Sequence, residues 1–489
     1  MAFCPQGGPV LLFCKRRRTL LFGFPIVDRI CEVRRMNETE KIVSAQHAFF
    51  KQGQTLDVEF RRKALTALRE SLRKHGAELY SALRADLGKG ETESIMTETG
   101  MVFEEIEYLL KNLNRLARAK RVKTAFAQMP AKCYTLPSPY GVALIMSPWN
   151  YPLQLTLCPL ADCIAAGNCA VVKPSAYAPA TAEILEKILG QIYPREYVAV
   201  VTGGREQNGA LLAQKYDMIF FTGGKATGKI VAQAAASSLT PVVLELGGKS
   251  PCIVDSDADL PLAAKRVAFG KLLNAGQTCV APDYLLVQNS VKDRFLEELK
   301  TELVRQGAEN ALKNAEYPHI VNEKHYVRAK SLIDPKKVVF GGNFDDASLK
   351  IQPTVLDGVT LEDAVMQEEI FAPVLPVLTF EDFEDAKRTI DRNPFPLALY
   401  YFGKKNEMRA LREIRFGGGC VNDTVVHLAT PYMGFGGVGE SGMGAYHGEC
   451  GFNAFSHVKS IQKKGKSELT VRYLPYTQKK KKFIRKYLG

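Results

Sequence analysis

Two stretches of this chain have the residue types for joint chemistry. The first, NAGQTCVAPD at 274–283, places Cys279 between a small flexible turn (Ala275, Gly276) and a proline stop, Pro282. That setting holds a thiol on a loop, open to a ligand. The second, PVVLELGGKSP at 241–251, sets one acid, Glu245, in an apolar run that Gly247 and Gly248 then turn. A carboxylate in such a run costs free energy unless it has a partner or a task. Thiol and buried carboxylate together suit covalent catalysis: the thiolate attacks, and the carboxylate later activates water.

These two motifs resemble the catalytic core of the aldehyde dehydrogenases. SPWNYP at 147–152, VKPS at 172–175, FTG at 221–223 and EEIFAP at 368–373 stand in that family's order. The resemblance covers residues 37–460 or so, and within the family it is most similar to the class 3 group, which takes fatty and aromatic aldehydes. GESGMGAYHG at 439–448 carries that finer assignment.

The resemblance implies an α/β fold: a doubly wound cofactor domain, an α/β catalytic domain carrying Cys279 and a small β oligomerisation arm. The implied cofactor domain is 37–119 with 139–244, and the catalytic domain is 245–430. The arm and C-terminal return are 120–138 and 431–465, followed by a basic tail at 466–489. The implied reaction oxidises an aldehyde, medium- or long-chain aliphatic or aromatic, to its acid with NAD or NADP. It passes through a Cys279 thiohemiacetal and thioester, in a homodimer.

The remaining site residues follow along the chain. Pro148 and Pro152 clamp the loop that holds Asn150, whose amide is a good donor to an oxyanion. Tyr151 and Leu155 fit a lipophilic aldehyde, and equally fit core packing; with Thr278 they are assigned to the substrate pocket. Trp149 is read as packing.

Lys173 ends an apolar strand, where open α/β sheets place ligand contacts; its implied partner is the adenosine ribose or its phosphate. Ala176 stands where many NAD-specific relatives carry Glu, so no carboxylate repels a 2′-phosphate there. Thr222, Gly223 and Gly228 belong to a strand–turn–helix unit suited to a pyrophosphate. Lys225 adds positive charge read as favouring NADP. Glu369 resembles the acid that holds the nicotinamide ribose hydroxyls, and Phe371 is expected against the nicotinamide.

Several lookalikes are set aside. Residues 223–230 imitate a phosphate loop, but Ile230 stands where that motif needs a hydroxyl for magnesium. GVGESG at 437–442 fits GxGxxG too near the C-terminus for a dinucleotide half to follow, and is read as a loop. The acids at 255–259 lack the later ligands of a calcium loop and are read as a helix cap. No histidine or cysteine spacing matches a metal site.

Composition bounds the rest. The chain has 489 residues, 46% of them hydrophobic, enough for two or three domains. The net charge of +13 is terminal: residues 1–35 hold seven basic residues against two acids, and six more basic residues lie from Lys479 onward. A nearly neutral body excludes the basic face of a nucleic-acid binder. Eleven cysteines without a CxxC pair read as reduced thiols in a cytoplasmic protein.

Residues 1–36 are expected to be an unstructured leader or upstream sequence, with Met36 as the natural start. The tail is read as solvated, with the composition for weak contact with an anionic membrane. Helices are expected over 38–87 (two, the second ending at Gly76) and 92–119. Two competing readings are carried: a coenzyme A-acylating dehydrogenase, and a non-enzymatic structural or membrane-surface protein that keeps the fold.

Overall fold

Every residue of the strands Val142–Met146 and Cys169–Lys173 is buried. Strands apolar on both faces belong in the middle of a covered parallel sheet. In the computed structural model they pair in parallel at the centre of a six-stranded sheet. Its order is Gly442–Met443, Val242–Leu246, Met218–Gly223, Val142–Met146, Cys169–Lys173, Val198–Val200. The structure describes residues 37–488, with the backbone of 10–21 and 24–35. Those two short stretches pair as a separate antiparallel ribbon, where the sequence led to an unstructured leader. The rest of that leader lies outside the described residues.

Helices cover this sheet. Val58–Lys74 and Gly100–Ala117 turn one apolar stripe inward: Leu65, Leu68 and Leu72 on the first, Ile106, Leu109, Leu113 and Leu116 on the second. That stripe is the 3.6-residue period legible in the sequence. Residues 38–87 form three helices rather than two: the helix Val58–Lys74 ends just before Gly76, as expected, and Gly76 also opens a further helix, Gly76–Leu87. The stretch expected as one helix over 92–119 carries a π turn at Ile95–Thr99.

A second sheet has seven strands in the order Val338–Phe340, Thr354–Leu356, Val374–Phe380, Tyr284–Gln288, Pro251–Val254, Ala398–Phe402, Gly418–Val421. Only the first pair is antiparallel. Glu245 sits in the first sheet, paired with Thr222 on one side and Gly442 on the other. A domain boundary at 244/245 therefore cuts a strand, and the change of sheet falls in the turn after Leu246.

The arm is a three-stranded antiparallel sheet of Lys120–Val122, Ala131–Pro139 and Ser456–Lys464. The tail is not plain coil: Gln478–Leu488 is helical, and its Tyr487 ring meets Phe126 of the arm at 5.0 Å. Asp259 caps the helix Leu260–Leu272, as the acidic cluster suggested. Among the described residues no helix is long and apolar enough to cross a membrane.

Candidate active site

A cleft of about 770 Å³ runs between the two sheets, lined by Asn150, Leu155, Thr222, Gly223, Glu245, Cys279, Glu369 and Phe371 among others. Eight of the twelve residues singled out by sequence thus share one space. The other four do not line it. Lys173 is buried and donates to the carbonyl of its neighbour Pro174 at 2.7 Å. Burial lowers its pKa to about 8. Gly228 packs on Leu246, whose Cδ2 leaves 2.5 Å for a Cβ, so it serves the close approach of helix to strand. Tyr151 and Thr278 bond each other through their hydroxyls at 2.6 Å, both buried.

The thiol loop is held under backbone strain. Asn274 (φ 51°) and Ala275 (φ 50°) lie in the left-handed region, sparsely populated by such residues, and Gly276 (φ 69°) follows. Gly276 is required here, because a Cβ would stand 2.4 Å from the Ala372 carbonyl oxygen. The thiol loop and the Glu369 loop therefore approach closely through backbone at this point. Phe371 is also left-handed (φ 51°), and its ring meets Trp149 edge-on at 5.4 Å. Trp149, read as packing, also lines the cleft.

Buried polar groups that the sequence reading passed over hold these loops. Lys89 and Glu98 pair at 2.7 Å without exposure. Lys89 also donates to the Asn150 carbonyl (3.3 Å), and Glu98 accepts from the amides of Leu153 (3.0 Å) and Gln154 (2.9 Å). Asn274 Nδ2 donates to the same Asn150 carbonyl at 2.8 Å. The Asn150 side chain donates to the Gln277 carbonyl at 3.1 Å, two residues before the thiol. On the other wall Lys249 binds Asp283 at 2.5 Å and the carbonyls of Val365 and Glu368, while Asp283 accepts from Ile370 N–H. Lys249 follows Gly247-Gly248, and Asp283 follows Pro282. A charged residue at the edge of each apolar motif was the available signal.

The electrostatics are set by unanswered acids. Glu245 is buried and neither of its oxygens has a partner. Desolvation pushes its pKa well up. Glu369 is pushed up to about 8, by desolvation first and the Asp283 charge second. The Cys279 thiol is raised too, by desolvation and then by Glu369 and Glu245. Lys225, whose positive charge was read as favouring NADP, is paired with Glu440 at 2.7 Å.

Comparison with known proteins agrees with this geometry. The family model described as Aldehyde dehydrogenase family matches residues 27–461. The chain belongs to the aldehyde dehydrogenase family. It is 43% identical to the 4,4'-diaponeurosporen-aldehyde dehydrogenase of Staphylococcus aureus, over 91% of this chain and 98% of that one. It is 41% identical to aldehyde dehydrogenase family 3 member A2 of Rattus norvegicus (90% and 92% covered) and to the dimeric NADP-preferring aldehyde dehydrogenase of Canis lupus familiaris (87% and 94%). A solved structure of a Staphylococcus aureus AldH in a substrate-bound state superposes with a TM-score of 0.90 at 42% identity, covering 93% of this chain and all of that one. As an aldehyde dehydrogenase the chain oxidises aldehydes with NAD or NADP.

The residues of the cleft fit a dinucleotide. Thr222 Oγ1 and Glu369 Oε1 are buried without partners. The helix Lys225–Ala236 starts at the cleft with no side chain capping it, which suits a phosphate.

Proposed function

We propose that this enzyme converts medium- or long-chain aliphatic or aromatic aldehydes to carboxylic acids, with Cys279 as nucleophile and Glu245 as base. The observation that carries the reading is the meeting of a reachable thiol and an unpartnered buried carboxyl in one cleft. Neither Glu245 side-chain oxygen is used in a structural hydrogen bond.

In this reading the Cys279 sulfur attacks the aldehyde carbon once its proton has passed to Glu245. The carbonyl oxygen gains charge beside the Asn150 amide and the Cys279 N–H, which stabilise it. The chemistry that the cofactor supplies when bound is hydride acceptance, with Thr222 and the uncapped helix holding its phosphates and Glu369 its ribose. A thioester remains on Cys279. Glu245, having lost its proton to solvent, takes one from water, and the acid leaves. Leu155 and Phe435 give the cleft an apolar wall for a lipophilic chain.

NADP is accepted as well as NAD in this proposal, because Ala176 is exposed and carries no charge against a 2′-phosphate. The edge strand Ser456–Lys464 of the arm supports a homodimer. Phe483, Ile484 and Tyr487 among the lysines of the C-terminal helix support weak contact with an anionic membrane surface. Eight free cysteines among the described residues suit a reducing cytoplasm. A coenzyme A-acylating reaction has no need of a water-activating base, so Glu245 favours hydrolysis.

The test is reduction of NAD and NADP by the purified protein with a long-chain and an aromatic aldehyde, beside Cys279→Ala. Turnover in the wild type alone supports the assignment. Turnover that survives in Cys279→Ala overturns it, and turnover that appears only with added coenzyme A favours the acylating reaction.

A further inference from the structure

Lys225 and Glu440 face each other across the mouth of the cleft, which both line. Lys225 opens the helix Lys225–Ala236, and Glu440 belongs to the turn Gly439–Ser441, 215 residues further along the chain. Their side chains meet at 2.7 Å and stay about half exposed, 44% and 56%. An exposed pair of this kind is weak and yields readily to a better partner.

What surrounds the pair calls for an anion. No side chain caps the helix, so its first amides present positive charge to the cleft. The Thr222 hydroxyl, one strand end away, is more than nine-tenths buried and has no partner. At Gly224, where the helix starts, the space a side chain would take is open. Lys225 is the cation nearest in sequence to all three, and only Glu440 occupies it.

We propose that Lys225 is a phosphate-binding residue of this cleft and that Glu440 is its built-in competitor. The pyrophosphate of an entering dinucleotide takes the ammonium from Glu440, and Glu440 takes it back on release. The proposal rests on the reading of the cleft as the dinucleotide site. Its position at the first residue of the helix assigns Lys225 to the pyrophosphate, common to NAD and NADP, and not to the 2′-phosphate that its sequence position suggested. Glu440 thereby limits affinity and speeds release.

The measurement is the dissociation constant of NADH and of NADPH, read by energy transfer from Trp149, the single tryptophan of the chain and a lining residue of the cleft. Lys225→Ala should weaken both cofactors by the same factor, about tenfold, the worth of a hydrogen bond to a charged group. Glu440→Gln should tighten both about threefold, the scale of an exposed ion pair. The double variant should match Lys225→Ala, because Glu440 acts only through Lys225. Stopped-flow release should slow in Glu440→Gln.

An unchanged or weakened affinity in Glu440→Gln overturns the competitor role. A loss confined to NADPH in Lys225→Ala overturns the pyrophosphate assignment. Failure of the underlying reading looks different: the wild type itself then shows no energy transfer from Trp149. Thermal unfolding of each variant checks the fold, which an exposed pair should leave unmoved.

Discussion

Glu98 and Glu245 are equally hidden from solvent, yet their surroundings are opposite. Glu98 meets the Lys89 ammonium and two amide N–H groups. Glu245 meets nothing, with both oxygens unpartnered. The first arrangement answers the cost of burying a carboxylate and fixes the loop that carries Asn150. The second leaves that cost standing, which suits a chemical role in the cleft. A buried acid is a functional candidate when it lacks partners, not merely when it is buried.

The contrast can be broken at several points. Cys279→Ala removes the nucleophile while both acids remain. Turnover should fall by on the order of 10⁴-fold or more, measured as NADH production under saturating aldehyde, with the fold intact by circular dichroism. Glu245→Gln should lower kcat by about 10²- to 10⁴-fold, the usual worth of a general base. It should not lower, and should tend to raise, the thermal midpoint. A variant that loses stability in step with activity would give Glu245 a structural role and end the comparison.

Lys89→Met tests the other acid. It leaves Glu98 buried without its cation and should cost about 3–5 kcal/mol of stability in denaturant titration. Asn274 still holds the Asn150 loop, so kcat per folded molecule should change far less than in Glu245→Gln. Asn150→Ala should lower kcat by about 10²- to 10³-fold with little change in KM, as loss of an oxyanion donor does.

Glu369 offers a test read as a slope. Glu369 has its pKa pushed up from 4.5 to about 8 in the folded state. The folded protein therefore binds more protons than the unfolded chain between those values. The stability this group contributes is present below the unfolded pKa and is lost as pH rises towards 8. Glu369→Gln should flatten the fall in thermal midpoint across that window. An unchanged slope would mean that Glu369 is ionised in the folded protein throughout.

Much of the site was legible because its signals are local. An acid in VVLEL, a cysteine between glycine and proline, and an asparagine between two prolines declare themselves within a few residues. Most of the first sheet was legible from its buried apolar strands and the helices from their stripes, whereas the second sheet followed only from the family resemblance. Hydrogen-bond partners were less legible than residue types. Lys173 turns to its own loop, Tyr151 and Thr278 join across 127 residues, and Lys225 meets Glu440 across 215. Gly76 marks a helix end, as its type suggested, but the helix that opens at Gly76 was not legible, because its packing against its neighbours outweighs the low propensity of glycine.

The sequence by itself determined the family and the candidates for nucleophile, base and oxyanion donor, since residue type and short spacing limit which bonds a side chain can make or break. Only the tertiary structure decided which charges are answered. It gave Glu98 its lysine and Glu245 none, raised the Cys279 thiol instead of lowering it, and set Glu440 against Lys225. Those outcomes depend on distances between residues far apart in the chain, and on how much water the fold leaves around each charge. Neither quantity exists until the two sheets close on one another.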